Sequence, residues 1–120
     1  MNSEIKIYDS NKPGPTLTIF ACVHGNEPCG EKALRQFVFH PSRGRIITVI
    51  ANIAALRAGK RFIDCDLNRS FTKSGTDALE SQTAKILANI LDESDALLDI
   101  HASSSVKSEP FVICEKHSLD

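Results

Sequence analysis

The sequence predicts an α/β fold in which a mostly parallel or mixed sheet is flanked by helices, and three observations predict it. Residues 16–23 and 45–51 are nearly continuous apolar and β-branched runs, the pattern of strands covered on both faces. Between them, residues 29–39 place Ala33, Leu34, Phe37 and Val38 at helical spacing. A second helical stripe, Leu79, Thr83, Ile86, Leu87, Ile90 and Leu91, precedes a further apolar run at residues 95–100. Strands that alternate with helices build a helix-flanked sheet.

Each element has its own signal. Residues 4–8 alternate polar Glu4 and Lys6 with apolar Ile5 and Ile7, as a half-exposed strand does. The cluster Asn11-Lys12-Pro13-Gly14-Pro15 turns the chain into the strand at 16–23. Gly25 permits a sharp exit from that strand, and Pro28 suits the first turn of the helix that follows. Pro41-Ser42-Arg43-Gly44 resets the chain before the strand at 45–51. From Asn52 to Gly75 periodicity disappears; a loop of this length in a small domain is usually functional, and Ile63, Leu67 and Phe71 offer anchors for it. Asp77-Ala78-Leu79-Glu80 resembles a capping box opening the second helix. Residues 102–108 read as a polar loop, residues 110–114 as a last strand, and residues 115–120 have no pattern.

Composition narrows the function. At 120 residues the chain is expected to form a single domain, residues 1–120, with no repeats or internal linker. A net charge of −1 carries no electrostatic footprint for nucleic acid or an anionic membrane. No apolar run is long enough to span a bilayer, and Met1-Asn2-Ser3-Glu4 does not open a signal peptide, so a cytoplasmic protein is expected. Cys22, Cys29, Cys65 and Cys114 show no CxxC spacing and read as reduced thiols, with Cys22 and Cys114 placed as small hydrophobes in apolar runs.

The chemistry lies in Val23-His24-Gly25-Asn26-Glu27-Pro28, read together with Asp99-Ile100-His101. His24 and His101 each follow a predicted strand, where open α/β sheets bind their ligands. If the two strands are parallel neighbours, their ends lie about 4.8 Å apart. Two imidazoles and the Glu27 carboxylate then form the His–Glu–His ligand set of a catalytic zinc site, with Asp99 available to orient His101. Taken singly, each residue has a plainer reading. A His after a strand is more often a surface or capping residue, and a Glu at a helix start often only complements the helix dipole. His40 and His117 keep that plainer reading; for the other three the conjunction favours a metal. The loop adds Arg61, Asp66, Asn68 and Arg69 in one short stretch. Two guanidiniums there suit a carboxylate clamp and a donor for an oxygen that becomes negative in a transition state, although a solvated loop with internal ion pairs remains the alternative.

Taken together, His24-Gly25-Asn26-Glu27, then Arg61 with Asp66-Leu67-Asn68-Arg69-Ser70-Phe71, then Asp99-Ile100-His101 resemble the succinylglutamate desuccinylase/aspartoacylase family of the zinc carboxypeptidase superfamily. The resemblance covers about residues 16–112 and implies a zinc carboxypeptidase-like fold. It also implies one Zn2+ held by His24, Glu27 and His101, with Arg61 as the catalytic residue that polarises the scissile carbonyl. Asn68 and Arg69 would grip the carboxylate of the substrate, Asp66 would brace the arginine loop, and Asp99 would orient His101. The implied reaction is hydrolysis of the amide bond of a small acidic N-acyl amino acid such as succinylglutamate or N-acetylaspartate. Family members also use a general-base glutamate in a Glu-Val-Gly-type motif beyond the last ligand. Glu109 and Glu115 lack that context, so the chain is expected to be the N-terminal part of a catalytic domain, with reduced or no turnover as it stands. Two other readings stay open: a non-catalytic zinc-binding fragment or interaction domain, and a metallocarboxypeptidase acting on peptide C-termini.

Overall fold

Two buried strands lie at the centre of the sheet, and the rest of the chain is arranged by how it covers them. The computed structural model describes residues 1–72 and 77–115. Its elements are β1 (Glu4–Asp9), β2 (Thr16–Ala21), α1 (Cys29–Gln36), β3 (Arg45–Ile50), α2 (Ile53–Ala58), a short 3-10 turn (Leu67–Arg69), α3 (Leu79–Asp92) and β4 (Ala96–Ile100). The four strands form one sheet in the order β1-β3-β2-β4. β2 pairs parallel with both β3 and β4, whereas β1 pairs antiparallel with β3, so the sheet is mixed, within the expected α/β class.

The apolar runs become β2 and β3 because their side chains find cover on both faces. One core layer joins Phe20, Val23, Ile47, Val49 and Ala51 to Ala84 and Leu87 of α3 and to Leu67. The other joins Ile19, Ala21, Cys22 and Ile50 to Leu34 of α1. Each Leu or Phe that leaves water in these layers contributes about 1.5–3 kcal/mol. Parallel pairing sets Ala21 of β2 beside Ile100 of β4, and this register brings His24 and His101 to the same end of the sheet.

Several expectations need correction, the first being that α1 ends at Gln36 and leaves Phe37 and Val38 exposed beyond it. Residues 110–114 form no strand, and Phe111, Val112 and Ile113 are exposed, because no neighbour among the described residues offers them a ladder. The stretch after Asn52 is not one long loop. Asn52 caps α2 by accepting from the Ala55 amide, Gly59 closes that helix in the left-handed region, and the Leu67–Arg69 turn follows. Of the proposed loop anchors, Leu67 is fully buried and Phe71 packs on the core, but Ile63 is largely exposed. The capping box is absent: Ala78 occupies the cap position of α3, and Glu80 points elsewhere. Cys114 is exposed rather than packed, while Cys22 is buried and all four thiols are free. His40 is exposed; His117 lies outside the described residues, as does part of the stretch at 52–75.

Candidate metal centre

The site begins where β2 ends. Cys22 turns the chain out of the strand in the left-handed region (φ 54°), a strained backbone for a non-glycine residue that persists where packing enforces it. Val23 and His24 follow, both buried. The Gly25 N–H then donates to the Arg61 carbonyl at 3.1 Å, and the Glu27 N–H closes back on the His24 carbonyl at 3.1 Å. That turn sets His24 and Glu27 side by side, with Nδ1 of His24 3.0 Å from Oε1 of Glu27.

His101 arrives from β4. Its Nδ1 lies 3.0 Å from the other Glu27 oxygen, Oε2, which also accepts the Ala102 N–H at 2.9 Å. The two imidazole centroids are 5.1 Å apart. One ligand atom from each of His24, Glu27 and His101 lies within 4.8 Å of the other two, close enough for the three to serve one ion. The far nitrogens are held as well. Nε2 of His24 is 3.1 Å from Oδ1 of Asp66, and Nε2 of His101 is 2.8 Å from Oδ2 of Asp99. A carboxylate on the far nitrogen makes that atom the proton carrier and turns the lone pair of Nδ1 toward the shared point. Borderline nitrogen donors, one carboxylate and a carboxylate behind each imidazole are the donor chemistry that suits zinc.

The arginine loop leans on this cluster through Asp66. Oδ2 of Asp66 accepts from Nε and Nη2 of Arg61 at 3.3 and 3.2 Å, while Oδ1 takes the Asn68 N–H at 2.9 Å beside His24. Asp66 therefore touches the His24 side of the cluster and the Arg61 guanidinium together. The side chains of Asn68 and Arg69 are exposed, and Arg69 forms no ion pair among the described residues. Glu109 and Glu115 are exposed and far along the chain from the cluster.

The charges follow from these contacts. Burial raises the Glu27 carboxyl, but the Ala102 N–H and the imidazoles of His24 and His101 outweigh it and leave the pKa below the ordinary value. Asp66 is likewise raised by burial and brought down further by His24, the Asn68 N–H and Arg61. Burial lowers His101, yet the Asp99 and Glu27 carboxylates prevail and raise its pKa. Three anionic groups thus surround two imidazoles, an arrangement that favours a cation.

Sequence reasoning missed Glu80. Its fully buried carboxylate accepts the N–H groups of Ile63, Asp64 and Cys65 and the Asn52 side chain, while Asp64 in turn accepts the Leu79 N–H. The signal was Asp77-Ala78-Leu79-Glu80 itself: the acidic residue at the helix start holds a loop rather than its own helix end. The contact between Asp66 and His24 was also unforeseen, since nothing local ties positions 42 residues apart.

Comparison with known proteins adds lineage to this geometry. Residues 13–119 match the family described as succinylglutamate desuccinylase/aspartoacylase catalytic domain. The chain is similar to a succinylglutamate desuccinylase of Serratia proteamaculans, 31% identical over 110 residues that cover 77% of this chain and 34% of that protein. It is also similar to a probable aspartoacylase of Prochlorococcus marinus, 29% identical over 122 residues that cover 89% of this chain and 40% of that protein. Among solved structures, the succinylglutamate desuccinylase/aspartoacylase of Rhodobacter sphaeroides superposes with a TM-score of 0.72 at 27% identity, covering 81% of this chain and 32% of the other. The chain thus spans well under half the length of these relatives.

Proposed function

This chain belongs to the succinylglutamate desuccinylase/aspartoacylase catalytic-domain family, and from that premise we propose that it carries the metal-binding part of a zinc-dependent hydrolase that cleaves the amide bond of a small acidic N-acyl amino acid. The observation that carries the reading is the convergence of His24, Glu27 and His101 from two strand ends and a helix start, with Asp66 and Asp99 behind the two imidazoles.

His24, Glu27 and His101 would hold the ion. When bound, zinc supplies acidified water and a Lewis acid for the scissile carbonyl. The chain's own groups do the rest. Asp66 and Asp99 keep each imidazole turned so that Nδ1 faces inward. Arg61, tethered to Asp66 on the rim, offers N–H donors to an oxygen that gains negative charge. Arg69, with its guanidinium unpaired among the described residues, forms a two-pronged clamp for a substrate carboxylate, and the Asn68 amide adds a further donor beside it. Selection of a substrate that carries a free carboxylate follows from that clamp.

Zinc content of purified protein beside His24→Ala, with free amino acid released from N-succinylglutamate and N-acetylaspartate, tests the reading. Zinc in the parent protein alone, with release lost on chelation and in Arg69→Ala, supports it. Equal zinc in both proteins defeats it. Zinc uptake without release would support the metal site alone, as expected of a chain without the family's general-base motif, and cleavage of peptide C-termini alone would move the substrate to peptides.

A further inference from the structure

Four donors converge on a buried carboxylate that neither the candidate ligand set nor the proposed substrate contacts use. Glu80, in the first turn of α3, is fully buried. Oε1 accepts the Ile63 N–H at 2.7 Å and Nδ2 of Asn52 at 3.1 Å. Oε2 accepts the N–H groups of Asp64 and Cys65 at 3.0 and 3.2 Å. Three successive backbone N–H groups facing one anion form a nest, an anion-binding concavity of the backbone. The clamp is reciprocal, because Oδ2 of Asp64 takes the Leu79 N–H of α3 at 2.8 Å. The nested residues lie between Arg61 and Asp66, and Asp66 is the group that reaches Nε2 of His24. Asn52 ties the same carboxylate to α2, against which Gly25 of the His24 turn is pressed.

We propose that Glu80 is a positioning residue: by holding the amides of residues 63–65 it sets Asp66 against His24 and Arg61 at the rim of the metal centre. The catalytic meaning of that role rests on the zinc-hydrolase reading above, but the geometric claim about His24 does not. A carboxylate is needed because all four partners are donors. In Glu80→Gln the amide NH2 must face at least one of them, and the loop gives way at that point. Leu87→Ala, on the same helix and buried in the core but outside this network, serves as the control that loses stability without touching the nest.

Two readouts separate the cases: the 15N resonances of the His24 imidazole without added metal, and Co(II) affinity by chelator competition. The expected result is a moved Nε2 resonance of His24 and Co(II) binding weakened about tenfold in Glu80→Gln, the scale of losing an orienting contact behind a ligand. Leu87→Ala, at a similar loss of melting temperature, keeps the parent values. Unchanged resonance and affinity in Glu80→Gln, or equal changes in Leu87→Ala, overturn the proposal. A parent protein that takes up no Co(II), with the His24 resonance still moved in Glu80→Gln, defeats the zinc reading and leaves the positioning role supported. Should Glu80→Gln fail to fold, hydrogen exchange on the parent protein decides. Amides of residues 63–65 as slow as that of Val49 support the nest, and exchange at open-loop rates overturns it.

Discussion

Position 25 decides how close the metal turn sits to the rest of the molecule. A Cβ built on Gly25 would lie 2.1 Å from the Ala55 carbonyl carbon and 2.3 Å from the Leu56 nitrogen. Both atoms are backbone of α2, so neither can swing aside as a side chain would. Gly25→Ala must therefore push the turn off α2 or strain the helix, at a cost of about 1–3 kcal/mol. Urea denaturation is expected to show that loss, and metal affinity should fall with it because His24 is the preceding residue. Asp66 tests the other side of the same imidazole. Asp66→Asn keeps the shape but removes the charge that fixes Nε2 of His24 and holds Arg61. Metal affinity is expected to weaken about 10–100-fold, read by chelator competition, with the melting temperature little changed.

At the scale of elements, α3 and the loop before it behave as one unit, and acid should reveal it. Burial raises the Glu80 carboxyl, but the Ile63 N–H, the Asn52 side chain and the amides of Asp64 and Cys65 outweigh burial and hold the pKa below the ordinary 4.5. A depressed folded-state pKa gives stability that is fully present above the unfolded-state value and is lost as pH falls through the folded one. Urea midpoints taken from pH 7 to pH 3 should therefore drop for the parent protein, and Glu80→Gln, already less stable at pH 7, should show a shallower acid limb. The elements differ in how readily the sequence reveals them. β2 and β3 are legible because burial on both faces leaves nearly continuous apolar and β-branched runs, and α3 because one stripe repeats over its length. α2 escapes because its pattern covers only Ile53–Ala58, although Asn52 before it and Gly59 after it mark its ends. Residues 110–114 mislead because β-propensity describes a side chain that fits a sheet, and the described residues offer that segment no sheet to fit. The meeting of His24 and His101 at one end of the sheet is legible because strand ends cluster in parallel sheets; the contacts of Asp66 and Glu80 depend on how the loop folds back, which no periodicity records.

For the molecule as a whole, the candidate metal centre joins a nearly fully buried strand of the sheet to a largely exposed one. β2 is buried along nearly its full length, whereas β4 has a single partner among the described residues and leaves Leu97 and Leu98 47% and 45% exposed. A strand with one ladder and little apolar burial opens at low free-energy cost, well before the centre of the sheet. His101 sits directly after that strand, while His24 and Glu27 belong to the turn after β2. An ion held by all three residues is bound only when β4 is docked, so binding and docking must stabilise each other. Zinc at 100 times its dissociation constant is then expected to add about 2.7 kcal/mol to the folded state. Hydrogen exchange should localise the gain: protection should rise most in Ala96–Ile100 and at Ala102, and least in β1, which carries none of the three residues. In His101→Ala the core layers of β2 and β3 remain intact, so the protein should fold with nearly parental stability without zinc. Added zinc should then neither raise its melting temperature nor slow exchange in β4. Equal zinc-dependent protection of β4 in that variant would show that the ion is held without His101 and that the sheet edge is not part of the site.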